Sequence, residues 1–215
     1  VVESTTGCCV LICCSVRTAP ASTQRGSWAG SGGAKGQADG SSSGCTAATQ
    51  ELSRFVGGDG RGEVSSTSYL RMMPHTTSAN ISMHFGLKGR NIPTSSACTS
   101  GSQAIGYAFE AIRFNRVDAM VAGGSEALCV SQAVVFDLLY ATSIKNDTPT
   151  QTPSPFDRDR DGLVIGEGGC TLVLESLESA QRRGAPILAE IVGYGASSDG
   201  GHATRPHQVL SLIRS

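Results

Sequence analysis

Several things are missing from this 215-residue chain, and each absence removes a class of function. No apolar run approaches the ~20 residues that a membrane-spanning helix needs. There is no excess of charge of either sign: the formal net charge is −1, which offers nothing to nucleic acid or to an anionic membrane surface. Paired C-x-x-C ligands are absent. Cys8, Cys9, Cys13 and Cys14 form a tight cluster with no histidine near it, so no metal site and no cofactor is expected. Cys45, Cys98, Cys129 and Cys170 stand singly, which suits a reducing compartment better than a disulfide framework. No repeat of solenoid period occurs. The run Asp157-Arg-Asp-Arg-Asp161 lacks the spacing of a calcium loop, and Gly166 to Gly169 lacks the lysine of a phosphate loop.

What is present is a glycine-rich chain (27 Gly) of a size that can bury one good core, with 39% hydrophobic residues. Residues 1 to 26 hold a short apolar patch, Cys8 to Cys14, with Glu3 ahead of it where a secretory signal would be basic. They are left unassigned, as a processed or non-native end. Ser27 to Gly44 is rich in Gly and Ser, the composition of a flexible linker. A helix is expected over Thr46 to Phe55. A loop from Tyr69 through Met72-Met73-Pro74 should lead into a helix at Thr77 to Phe85, with Gly86 as its cap.

Beyond Gly89 the alternation is regular. A strand at 91–96, a helix at 99–114 and an apolar strand at 118–122 make one strand–helix–strand unit. A helix within 126–143 follows, then a Pro-punctuated loop at 146–161. Strands are expected at Leu163–Ile165 and Cys170–Glu175, a helix at 176–183 capped by Gly184, and a strand at 188–194. Gly123-Gly124 reads as a close-packing turn. The whole implies a sheet covered by helices, an α/β fold.

The segment with chemistry in it is Thr94-Ser-Ser-Ala-Cys98-Thr-Ser-Gly101. An extended run delivers a cysteine to a turn of small residues. A helix then starts at that cysteine, with Ile105, Ala108, Phe109 and Ile112 at the spacing of one face. A thiol there would feel the unpaired N–H groups and positive end of the helix, which favour thiolate. The small residues that follow would let a substrate approach closely. A single cysteine is more commonly a buried, inert filler, and this geometry alone leaves that reading open.

Thr94 to Ala108 resembles the active-site segment of the beta-ketoacyl-acyl-carrier-protein synthases, condensing enzymes of the thiolase-like superfamily. Three further stretches resemble that family in its order and spacing. They are Val117-Asp-Ala-Met-Val-Ala-Gly-Gly-Ser-Glu-Ala127, the segment Pro155 to Gly169, and Glu190 to Asp199. Ala29-Gly-Ser-Gly-Gly33 resembles an early turn of the same enzymes. The resemblance implies a thiolase-like layered α-β-α fold, incomplete, roughly its N-terminal half. Residues 27–200 correspond to the N-terminal region and 201–215 to the start of the next.

By that resemblance Cys98 is the acyl-thioester nucleophile and its backbone N–H one oxyanion donor. The reaction implied is decarboxylative condensation with malonyl-acyl carrier protein in fatty-acid elongation. Acyl carrier protein would be the partner, and a homodimer would form through Asn91 to Ser96. The family's two catalytic histidines belong to motifs downstream of Asp199. His75, His84, His202 and His207 do not correspond to them, so the chain alone is not expected to condense at a normal rate. A polyketide ketosynthase fragment, or an inactive truncated partner subunit, is the alternative. The cytoplasm is the expected compartment, with a plastid or mitochondrial matrix as alternatives.

Overall fold

A computed structural model describes residues 8–13, 35–40, 46–58, 64–198 and 200–201. Ala29 to Gly33, Cys14, Cys45, Asp199, His202 and His207 lie outside the described residues. Six strands form one mixed sheet: β1 Cys8–Cys13, β2 Lys35–Gly40, β3 Asn91–Thr94, β4 Ala119–Glu126, β5 Gly168–Ser176 and β6 Ala189–Ile191, in the order β3-β2-β4-β5-β1-β6. β2 is parallel to both β3 and β4, while β4–β5, β5–β1 and β1–β6 are antiparallel. The patch Cys8–Cys13, given no element from sequence, is thus a strand paired on both sides.

The helices are α1 Thr46–Gly57, α2 Ser66–Met72, α3 His75–Phe85, α4 Ser100–Arg113, α5 Val130–Leu138 and α6 Leu177–Arg182. Strand alternation puts Ala38, Met120, Ala122 and Leu174 on one face of the sheet, where they pack with Ala104, Ala108, Phe109 and Ile112 of α4. Small alanines on both sides let this helix lie close to the sheet. The opposite face carries Gln37, whose Oε1 accepts a hydrogen bond from Ser82 of α3 at 2.8 Å. Asn91 lies on that face too, its Oδ1 accepting from Ser78 at 2.8 Å. Helices therefore cover both faces, the layered α-β-α arrangement expected.

Four local expectations are corrected. Tyr69 to Met72 is helical, not loop: α2 ends at Met72, and Pro74 immediately precedes α3 rather than breaking a longer approach. Gly123 and Gly124 are not a turn; β4 runs through them to Glu126. They are nevertheless close-packing positions, since a Cβ on Gly123 would lie 2.0 Å from the Cys170 carbonyl oxygen. Leu163–Ile165 is not a strand. Among the described residues its β pairing is a single bridge, Thr142 to Leu163, and β5 begins only at Gly168. Helix α4 starts at Ser100, two residues after Cys98, with Thr99 as its N-cap. Gly86, at φ 63°, caps α3 as its position implied.

Candidate active site

The chain leaves β3 at Thr94 and reverses through Ser95 to Thr99 before entering α4. Ala97 stands at φ 53°, the left-handed region that costs a side-chain-bearing residue roughly 1–2 kcal/mol. Hydroxyls hold the turn against that cost. Ser100 Oγ donates to the Ala97 carbonyl at 2.6 Å and accepts from the Ser96 N–H at 2.8 Å. Thr99 Oγ1 donates to the Ser96 carbonyl at 2.9 Å. Thr94 Oγ1 bonds the carbonyls of Asp39 and Ser100, at 3.2 and 2.9 Å, and so ties the ends of β2 and β3 to the start of α4. The run of Ser and Thr around Cys98 is accounted for by these bonds.

The helix start also needs glycine beneath it. A Cβ on Gly40 would fall 2.3 Å from the backbone carbon of Ser100, and one on Gly124 3.1 Å from the Cα of Gly101. Only hydrogen at Gly40 lets α4 descend onto the C-terminal end of β2, and Gly124 leaves a tight fit above β4. Cys98 is then left exposed at the tip of the turn.

It opens onto a cleft of ≈ 870 Å³. Gly40, Ser100, Gly101, Gly124 and Ser125 form the end near the sheet, and Phe136 with Leu163, Val164 and Ile165 gives an apolar wall. A second thiol, Cys170, also exposed, lines the same cleft from the start of β5. Cys129 is buried. Spacing in the sequence gave no reason to join Cys170 to Cys98. The link is the pairing of Gly124 with Cys170 across β4 and β5, which is long-range.

His75 and His84 both lie on α3, which covers the face of the sheet opposite α4, and both are exposed. His84 packs edge-on against Phe85. Neither lines the cleft. The Asp157–Asp161 run forms a loop pin, and nothing in it groups as a metal cage among the described residues. Asp161 Oδ2 accepts from Ser143 Oγ at 2.8 Å and from the Ile144 N–H at 3.0 Å, with Lys145 Nζ 3.7 Å from Oδ1. The Ser143 bond foremost holds its carboxyl below the usual carboxylate range. This pin fixes the strand-like stretch Leu163–Ile165 at the cleft's edge.

One buried group was not foreseen. Asp39, in β2, is 5% exposed, and burial pushes its carboxyl up to about 6 against the lowering effect of bonds from Ser125 and the Gly40 backbone. Its Oδ2 has no partner. Its position falls within Ser27 to Gly44, whose Gly/Ser-rich composition reads as a flexible linker; the structure instead runs a central strand, β2, through Lys35–Gly40.

Comparison with known proteins agrees with this geometry. The sequence model described as "Beta-ketoacyl synthase, N-terminal domain" matches residues 22–180. The chain is 45% identical over 130 residues to a 3-oxoacyl-[acyl-carrier-protein] synthase 2 of Vibrio cholerae serotype O1, covering 60% of this chain and 31% of that protein. A crystal structure of a beta-ketoacyl synthase from Burkholderia phymatum superposes with a TM-score of 0.79 at 53% identity, over 84% of this chain and 44% of that one. A type II polyketide synthase ketosynthase, solved in complex with its acyl-carrier protein, superposes with a TM-score of 0.67 at 30% identity, over 78% of this chain and 43% of that one. The chain thus spans less than half the length of these relatives. It belongs to the beta-ketoacyl synthase family, whose condensing enzymes are acyltransferases of thiolase-like fold, and it matches that family's N-terminal domain.

Proposed function

We propose that Cys98 accepts an acyl group as a thioester in a decarboxylative condensation that elongates fatty-acid chains. The observation that carries this reading is the exposed Cys98 at the tip of the Ala97 turn, ahead of α4 and open to the cleft. Thiol exchange is the first step: the Cys98 sulfur attacks the acyl carbonyl of a carrier-protein thioester, the tetrahedral oxyanion collapses, and the carrier thiol leaves with a proton. The Cys98 backbone N–H is the assigned oxyanion donor. The apolar wall of Phe136 and Leu163 to Ile165 offers an alkyl chain a surface.

Enolate formation from a malonyl thioester needs groups that this chain's described residues do not bring to the cleft, since His75 and His84 sit on the far side of the sheet. The proposal for the chain itself is therefore the acyl-accepting half of the reaction. The fatty-acid reading is supported by the 3-oxoacyl-[acyl-carrier-protein] synthase 2 of Vibrio cholerae, 45% identical over 130 residues; a polyketide ketosynthase, 30% identical over its superposed part, keeps the alternative.

Acyl carrier protein is the proposed donor. A homodimer is proposed through β3, which is the outer strand of the sheet and so offers unpaired backbone groups along Asn91 to Thr94. The proposed compartment is the cytoplasm. Among the described residues no helix is long and apolar enough to cross a membrane.

The test is incubation with an acyl-acyl-carrier-protein followed by intact mass measurement. The expected result is one acyl adduct on the wild type and none on Cys98→Ala. An adduct of equal yield on Cys98→Ala would overturn the assignment.

A further inference from the structure

Ser100 is 3% exposed, and its hydroxyl is the middle of a short chain of bonds. The Ser96 N–H donates to Oγ at 2.8 Å, and Oγ donates to the Ala97 carbonyl at 2.6 Å. The Ser100 N–H donates to the same carbonyl at 3.1 Å. One residue thus grips the Ala97 carbonyl twice. The peptide joining Ala97 to Cys98 is trans. In a planar trans peptide the carbonyl of one residue and the N–H of the next point in opposite directions. Whatever fixes the Ala97 carbonyl therefore fixes the Cys98 N–H.

We propose that Ser100 is a positioning residue for acyl transfer: its hydroxyl holds the Ala97–Cys98 peptide plane so that the Cys98 N–H meets the oxyanion of the acyl thioester. The inference rests on the reading of Cys98 as acyl acceptor and of its N–H as oxyanion donor. Two effects act together. The buried bond aims the N–H before the thioester arrives, and a donor that need not reorient stabilises the developing charge most. Donation to the carbonyl also polarises the amide, which makes the N–H at its other end a stronger donor. Ala97, at φ 53°, is strained, and the Ser100 bonds keep the peptide that follows it from relaxing.

The other hydroxyls of the turn bond elsewhere. Thr99 Oγ1 donates to the Ser96 carbonyl and to Ser96 Oγ, both at 2.9 Å. Thr94 Oγ1 bonds the carbonyls of Asp39 and Ser100. Thr99 thus ties the turn without gripping the Ala97–Cys98 peptide, which makes it a control for Ser100. Ser100 is also buried where Cys98 is exposed, so the bonds of a lost hydroxyl are not simply remade with bulk water.

The test compares two reactions of the same sulfur in the full chain. Acylation by a saturating acyl-acyl-carrier-protein passes through a tetrahedral oxyanion. Alkylation by iodoacetamide does not: the sulfur displaces iodide at a saturated carbon, a C–S bond forming as the C–I bond breaks. Both rates are followed at Cys98 by peptide mapping, and the ratio of acylation to alkylation is taken. In Ser100→Ala this ratio falls about tenfold or more, because the oxyanion donor is no longer aimed. Ser100→Thr, whose hydroxyl can bond a carbonyl three residues back, keeps the wild-type ratio. So does Thr99→Ala, whatever it does to the two rates separately. Should Ser100→Ala fold poorly, Ser100→Cys, a weak donor of similar size, lowers the ratio by a smaller factor. An unchanged ratio in Ser100→Ala or in Ser100→Cys, or an equal fall in Thr99→Ala, would overturn the proposal while leaving Cys98 as acceptor. A wild type alkylated at Cys98 but never acylated there would overturn the reading of Cys98, and this inference with it.

Discussion

Helices α4 and α5 follow one another in the chain, and both are rich in apolar residues, yet they end in opposite circumstances. α4 buries Ala104, Ala108, Phe109, Ala111 and Ile112 against the sheet. α5 buries none of its residues, and Val130, Val134, Val135 and Leu138 each remain more than half exposed. The difference lies in what the sheet offers. β2, β4 and β5 present alanine, methionine and leucine to α4 at a close spacing, whereas α5 has no comparable face opposite it among the described residues. α4 is a framework element and fixes Cys98. α5 supplies one wall of the cleft through Phe136. Apolar content thus announces a helix with a buried face, but not which surface buries it.

The largest effect expected on this contrast comes from Gly40→Val. Its side chain would enter the backbone of Ser100, lift the start of α4, and cost about 3 kcal/mol or more, together with the reactivity of Cys98. Chemical denaturation and Cys98 alkylation would both report it. A variant as stable as wild type would show that α4 does not depend on that approach.

Asp39→Asn is expected to act in the other direction. The folded carboxyl lies near 6, above its ordinary 3.8, so its favourable contribution is complete below about pH 4 and is lost as pH rises through 6. At pH 7 the charged group opposes folding by about 2–3 kcal/mol, the free-energy equivalent of that shift. The variant should be more stable than wild type by up to that amount at pH 7 and equal to it near pH 4. Denaturant midpoints at the two pH values check this.

A smaller gain, about 1 kcal/mol, is expected from Ala97→Gly, because glycine occupies φ 53° without the clash that alanine suffers. A loss of stability would mean that the turn is held by its hydroxyl bonds at no strain. The smallest effect belongs to α5. Leu138→Ser, at a side chain 71% exposed, should change stability by less than about 0.5 kcal/mol while raising solubility. A loss of several times that size, read by thermal melting, would show that α5 is packed in solution.

Much of this fold was legible because its signals are local. The three-and-four spacing of Ile105, Ala108, Phe109 and Ile112 marked α4 to within two residues, and Gly86 marked the end of α3. Cys98 stood out because strand, small-residue turn and helix succeed one another within a short stretch. What escaped depends on contacts distant in sequence. Leu163–Ile165 has the composition of a strand but no strand to pair with along its length. Cys170 joins Cys98 only through the β4–β5 register, and Asp39 is buried in a strand flanked on both sides by strands distant in sequence, β3 and β4. The left-handed Ala97 carries no mark in its side chain at all.

Two exposed thiols on one cleft allow the central claim to be tested by competition. The chain is saturated with an acyl-acyl-carrier-protein, digested, and the acyl occupancy of the Cys98 and Cys170 peptides is compared. If the turn ahead of α4 selects the nucleophile, acyl appears on Cys98 with at most a trace on Cys170. Equal occupancy of the two, or acyl on Cys170 alone, would mean that access to the cleft and not the architecture around Cys98 decides which sulfur reacts.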